Sequence, residues 1–243
     1  MIQFEKLKYD DPALQVSPLA RAVDKTLGWI GEHGGIHLTP SKAFRRTFVH
    51  WAAAEFNWPG HTEADLFAVN KVLDEHDFLP LMVLHEVLLL MKLGRHYKGE
   101  FKLTKAASGL AGHPGRIFET VVPYFLFEFN HAAMARFDEG TLPGNWDTFL
   151  NVLNVETEVG ATGAHLRQVL YGAPEKGPFR QYDTVMGALY LQVLRPLCWA
   201  GLLQSVHIAG RHDAEKTLFM KSPLWRAALR LETDRFVEAA TRH

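Results

Sequence analysis

The chain has 243 residues, a formal net charge of -1 and a sequence pI near 6.9, so no overall basic excess holds it on nucleic-acid phosphate or an anionic membrane. Any such surface must be local. Residues that are 47% hydrophobic and 12% aromatic suffice for a core, in one large domain or two of ordinary size, and the single Cys198 excludes an intrachain disulfide and a cysteine-rich metal knuckle.

MIQFEKLKYDDP lacks the basic-then-apolar layout of a signal peptide. No apolar run reaches the roughly 20 residues of a membrane helix, and the longest, from Phe78 to Leu93, is interrupted by His85, Glu86 and Lys92. The expectation is a soluble, cytoplasmic protein. Cys198, within VLRPLCWAGLL, reads as a buried thiol.

In chain order, Ser17-Pro18 opens a helix, since serine caps free amides and proline is pre-set for a first turn. Leu19, Val23, Leu27 and Ile30 form its apolar face and Gly34-Gly35 stops it. IHLTPSKAFRRTFVHWAAAEF reads as a very short extended piece, then Thr39 as cap and Pro40 as first helical residue. Thr62, with Asp65 three residues on, opens a helix through DLFAVNKVLDEH, and Pro80 opens the apolar helix LMVLHEVLLLMK. A hairpin follows, with Lys98-Gly99-Glu100 as its turn and Phe101 and Leu103 alternating with Lys102 and Thr104.

GHPG, from Gly112 to Gly115, breaks the chain before a long helix, RIFETVVPYFLFEFNHAAMARF, which Pro123 either kinks or starts. DEGTLPGN is a loop, helical segments run from Trp146 to Tyr171, and GAPEKGPF from Gly172 to Phe179 is a surface linker. Tyr182 to Leu203 is apolar and helical, split in two by Pro196. SVHIAG, a polar turn RHDAEK and the strand TLFMK follow, and Ser222-Pro223 opens a last helix, LWRAALRLETDRFVEAA.

Apolar helix, hairpin and new helix from Leu84 to Leu110 have the order of a winged helix, and the pattern recurs towards the C-terminus. IHLTPSKAF, FKLTKAASGL and LFMKSPLWRAAL read as three variants of one strand-to-helix device, the first truncated for want of a partner strand. The expected fold is mainly α, with two winged-helix-like units bearing short β-hairpin wings and joined by a helical middle segment. Its domains would be 1–115, 116–171 and 180–243. In GGIHLTPSKAFRRTF, LHEVLLLMKLGRHYKGEFKLTKAASGL and LRPLCWAGLL, over residues 27 to 110 and 182 to 230, the chain resembles uncharacterised bacterial proteins with repeated winged-helix-like units. That resemblance implies the fold and brings no catalytic residues.

Local charge carries the functional expectation. Lys92, Arg95, Lys98, Lys102 and Lys105 stand against Glu100 alone, and Lys42, Arg45 and Arg46 cluster where an earlier helix begins. A basic wing can touch DNA or RNA phosphate without reading sequence. The would-be recognition helices LMVLHEVLLLMK and PLCWAGLLQ offer few groups that hydrogen-bond base edges, His85, Glu86 and Lys92 in the first and Gln204 with flanking Arg195 in the second. Helices apolar on nearly every side are core, and a charged hairpin is by default a solvated face. Residues 128 to 163 are acidic, with Glu128, Asp138, Glu139, Asp147, Glu156 and Glu158 against Arg136, and could face the wing within the molecule or in a dimer.

The first reading is therefore a non-enzymatic regulator or adaptor with a basic wing. The second is a protein-interaction or scaffold module that binds itself or a partner through apolar helices. A distant third is a metal-dependent phosphohydrolase of the HD type, with His50, His76-Asp77 and a later aspartate such as Asp138. Its His-Asp pair lies at a polar helix end, unlike that family's apolar setting. His207 and His212 lie near a turn and read as exposed. No phosphate loop, dinucleotide fingerprint, nucleophile elbow or Cys-x-x-Cys occurs, and no cofactor is expected.

Overall fold

The computed structural model describes residues 2–8, 10–134, 140–174, 183–206 and 213–240. The chain is mainly helical with three small antiparallel sheets, and none of the described helices is long and apolar enough to cross a membrane. It forms two compact units, Lys8–Phe125 and Met1–Leu7 with Leu126–His243. The segment 116–171, expected to link two winged-helix-like parts, is divided between them.

Strand β1 (Gln3–Phe4) belongs to the second unit. The first unit proper opens with α1 (Pro18–His33), where the Ser17 hydroxyl accepts from the Ala20 amide at 3.2 Å and Gly34 ends the helix at φ +77°. β2 (Ile36–His37) follows. Thr39-Pro40 does not start a helix: the Thr39 hydroxyl accepts from the Ala43 amide at 3.1 Å, Leu38 bridges Phe44, and the chain doubles back as a loop. α2 (Arg46–Phe56) begins only after Arg45.

α3 (Glu63–Val69) carries the expected capping box of Thr62 and Asp65 but stops seven residues before His76. A second capping box, Asp74 with Asp77, opens a separate 3-10 turn at Glu75–Asp77 and accounts for the break. α4 (Leu79–Leu90) buries Pro80, Leu81, Val83, Leu84, His85, Val87 and Leu88, leaving only a narrow outer strip.

β3 (Gly94–Tyr97) and β4 (Glu100–Leu103) form the hairpin, with Lys98 at φ +50° and Gly99 at φ +78° as the backbone twist of a two-residue turn requires. The sheet runs β2-β4-β3, pairing Ile36 with Phe101 and His37 with Glu100. The expectation of a truncated first copy is thus corrected: IHL is the third strand of the hairpin's own sheet. Phe44, Phe56, Phe78 and Phe101 fill the core of this unit. α5 (Pro114–Phe127) runs unbroken through Pro123 and leaves the first unit at Phe125.

The second unit contains α6 (Trp146–Glu156), β5 (Ala161–Thr162) and α7 (Gly163–Tyr171). The helical segments expected from Trp146 to Tyr171 are thus two helices, and the unforeseen element is the strand between them: the chain turns at Gly160, φ +89°, and pairs Ala161 and Thr162 with a later strand. α8 (Thr184–Leu189) and α9 (Arg195–Ala200) are joined by a wide turn over Tyr190–Leu194 in which the Arg195 amide reaches back to the Tyr190 carbonyl. Pro196 has no amide to donate, and widening the preceding turn lets helical backbone pass it. Pro196 therefore does not split the helix into two separate ones.

β6 (Leu203–Val206) and β7 (Leu218–Lys221) form the second hairpin, and the sheet order is β5-β7-β6. α10 (Pro223–Ala228), β8 (Leu229–Arg230) and α11 (Asp234–Ala240) follow, so the last helix is cut by a strand pairing with β1. Each unit thus has a helix, a two-residue strand, further helices, an apolar helix and a hairpin, and in each the hairpin's second strand is the centre of the sheet.

Candidate nucleic-acid interface

Alternation along β3 and β4 sorts the hairpin's side chains. Arg95 pairs with Lys102 and Tyr97 with Glu100 on the outer face; Gly94, His96, Phe101 and Leu103 face inward. Arg95 and Lys98 are exposed, and each places its cationic group 5.3 Å from the centre of the Tyr97 ring, itself 45% exposed. Lys92 and Lys105 are exposed at the two ends of the hairpin. Lys102 differs: its ammonium lies 2.8 Å from Glu100 and donates to the Gly34 carbonyl at 3.2 Å. That contact holds the Glu100 carboxyl below its ordinary range.

The earlier basic cluster is not one surface. Arg46 makes a two-pronged pair with Asp74, at 2.8 and 3.1 Å, which lowers the Asp74 carboxyl from its usual value. The Arg45 guanidinium donates to the Leu38 carbonyl at 3.1 Å. Lys42 is exposed in the loop before α2 at φ +67°, and its charge reaches His96 on β3. Lys42 therefore belongs with the wing, whereas Arg46 is committed to Asp74.

Helix α4 turns little polar chemistry outward: outside the core it shows Leu79, Met82, Glu86, Leu89 and Leu90. Glu86, the only charged one, would be repelled by phosphate. In the second unit, Arg195 is buried with its guanidinium 5.0 Å from the Trp199 ring, and Lys221 is buried against Glu158. Two carboxylates of the acidic stretch find partners inside their own unit: Glu156 lies 2.6 Å from His165 Nε2, and Glu158 pairs with Lys221 and Arg226. Arg136, Asp138, Glu139, His207 and His212 lie outside the described residues.

Nor do His50, His76 and Asp77 form a metal set. Asp77 accepts from the Asp74 amide at 2.9 Å, the His50 ring packs on Phe67, and no group of three or more potential ligands among the described residues could hold a metal ion.

A polar chain that sequence reasoning missed runs behind the wing. The Glu75 carboxylate, 3% exposed, accepts from the Phe44 amide at 2.6 Å and meets His85 Nδ1 at 2.6 Å. His85 Nε2 in turn meets His96 Nε2 at 2.9 Å, and Phe44 stacks on the His85 ring at 3.9 Å. One signal was available: a histidine at an inward position of an apolar helix needs a polar partner. Nothing local says that the partners lie 10 residues before it and 11 after it.

Comparison with known proteins gives the chain its relatives. It is 35% identical over 166 residues to the uncharacterised protein y4jL of Sinorhizobium fredii, an alignment covering 68% of this chain and 76% of that protein. The chain belongs to the y4jL family. Models of the y4jL N-terminal and C-terminal domains match residues 15–116 and 135–223. The wing and the Glu75–His85–His96 chain fall in the part matched by the N-terminal y4jL domain, and the β6–β7 hairpin in the part matched by the C-terminal one. No solved structure matches the chain.

Proposed function

We propose that this y4jL-family chain is a non-enzymatic regulator or adaptor whose two units are winged-helix-like, and whose β3–β4 wing contacts nucleic-acid phosphate. Support for the winged-helix reading is the shared element order and shared sheet order of the two units. One observation carries the phosphate reading. Lys42, Lys92, Arg95, Lys98 and Lys105 are exposed on or beside the wing, and none is ion-paired to a carboxylate among the described residues. Since the only charged group that α4 carries outside the core is the half-buried Glu86, binding would be sequence-tolerant, by charge rather than base readout.

Titration of a fluorescent duplex of mixed sequence at several salt concentrations tests this. Four or five neutralised phosphates give a log–log salt slope of about -4. Arg95→Ala and Lys98→Ala should each reduce it by about one, while Arg46→Ala should leave it unchanged. Absence of binding at low salt overturns the proposal. The protein-interaction reading keeps one supporting observation, in Phe67, Val69 and Val72, which are 37, 82 and 46% exposed within six residues. Should the duplex not bind, light-scattering mass with and without Val69→Lys tests that second reading.

A further inference from the structure

The Glu75–His85–His96 chain joins three separate pieces of the first unit: the 3-10 turn, helix α4 and wing strand β3. We propose that it is a proton-limited latch, in which the His85–His96 contact holds the wing hairpin against α4 while at most one of the facing imidazole nitrogens carries a hydrogen, and lets go when both do.

Hydrogen counting carries the argument. The Phe44 amide can only donate, so it takes one Glu75 oxygen, at 2.6 Å. An ionised carboxylate can only accept, so the other oxygen, at 2.6 Å from His85 Nδ1, requires a hydrogen on that nitrogen. His85 Nε2 then has a free lone pair, which fits a hydrogen on His96 Nε2 across the 2.9 Å gap. One additional proton is accommodated: His96 can take it on Nδ1 and still donate, with Glu75 as the counter-charge at the far end. A second proton puts N–H against N–H and two imidazolium charges at that distance.

Every charged group facing His96 favours release on acidification except the carboxylate. Lys42, from the loop before α2, and His85, from α4, both disfavour a proton there, as does burial; Glu75 alone favours it. Across the sheet, the inward neighbours Phe101 and Ile36 cannot titrate. Burial, then His85 and Lys42, hold the His96 pKa below its ordinary 6.5. A histidine depressed in the closed state contributes its stabilisation above 6.5 and loses it as the pH falls through the closed-state value. The latch therefore opens on the acid side.

Hydrogen exchange of the full chain, corrected for intrinsic rates, reads the hairpin directly. Protection of the β3–β4 amides should fall at least about tenfold per pH unit below 6.5, two protons being taken up on opening from the neutral closed state and one once His96 already carries its extra proton, while amides of α1 hold. His96→Phe keeps a ring of similar size and should abolish the slope. Glu75→Gln tests the hydrogen counting. The Phe44 amide still claims the side-chain oxygen, so the carboxamide N–H must donate to His85 Nδ1, which moves the His85 hydrogen to Nε2. Even the first protonation of His96 then clashes, so hairpin release shifts to higher pH, and the nitrogen-15 shifts of His85 exchange tautomer. A packing role alone predicts neither change. Hairpin protection independent of pH in the wild type, or a Glu75→Gln profile that does not move upward, overturns the latch. None of these readouts involves nucleic acid.

Discussion

Gly94, where α4 hands over to the wing, offers a sharp test of how the first unit is packed. A Cβ built there lies 1.9 Å from Phe101 Cζ and 2.5 and 2.6 Å from the two Cε atoms, against a normal carbon contact of about 3.5–4 Å. Phe101 cannot step aside cheaply: it is fully buried, with the rings of Phe44, His85 and His96 at 5.4, 5.1 and 6.1 Å. Gly94→Ala should therefore cost at least the upper part of the usual overpacking range, about 3 kcal/mol. For a unit of this size that lowers the melting temperature by about 10 °C. Gly99→Ala is the control, because a Cβ there meets nothing within 4 Å and pays only for a φ of +78°, about 1 kcal/mol. Chemical and thermal denaturation of Gly94→Ala, Phe101→Leu and the double variant complete the cycle. The smaller side chain should restore at least about 1 kcal/mol of the Gly94→Ala loss. A Gly94→Ala protein within about 0.5 kcal/mol of wild type, or strict additivity in the cycle, would refute this account of the packing.

In the second unit, Asn154 is 2% exposed; it accepts from Trp225 Nε1 at 3.0 Å and Lys221 Nζ at 3.1 Å, and donates to Thr233 and Asp234 at 3.0 and 2.8 Å. Asn154→Ala strands an indole N–H, and denaturant titration should show a loss of about 2–4 kcal/mol; a loss under about 1 kcal/mol would remove the network from the unit's stabilising contacts. Burial pushes the Cys198 thiol up to about 12, so this half-buried residue holds almost no thiolate at pH 8 and should react with a disulfide reagent far more slowly in the native protein than after unfolding. Rapid reaction in native buffer would contradict that burial.

Local signals in the sequence were legible wherever one turn of chain decides the outcome. Ser17-Pro18, Thr62 with Asp65, and Lys98-Gly99 each satisfy their own amides or supply their own φ, and each sits where expected. Thr39-Pro40 misled because the same threonine hydroxyl can cap a helix or close a four-residue loop, and a distant strand partner settles which. The two-residue strands Ile36–His37 and Ala161–Thr162 are invisible for the same reason: two residues carry no periodicity, only a partner. Among the basic residues, charge was legible but commitment was not. Lys102 and Arg46 read like Lys98 in sequence and differ only by the carboxylates that folding brings to them.

Strand β1 pairs Phe4 with Leu229, so the second unit closes on residues from both ends of the chain while the first unit is a continuous stretch between them. During synthesis the ribosome finishes the first unit early and can release it to fold. Phe4 must wait for its partner, some 225 residues later, roughly 10–45 s at ordinary elongation rates. Throughout that interval the backbone groups of Gln3 and Phe4 lack the Arg230 and Leu229 partners that they have in the fold.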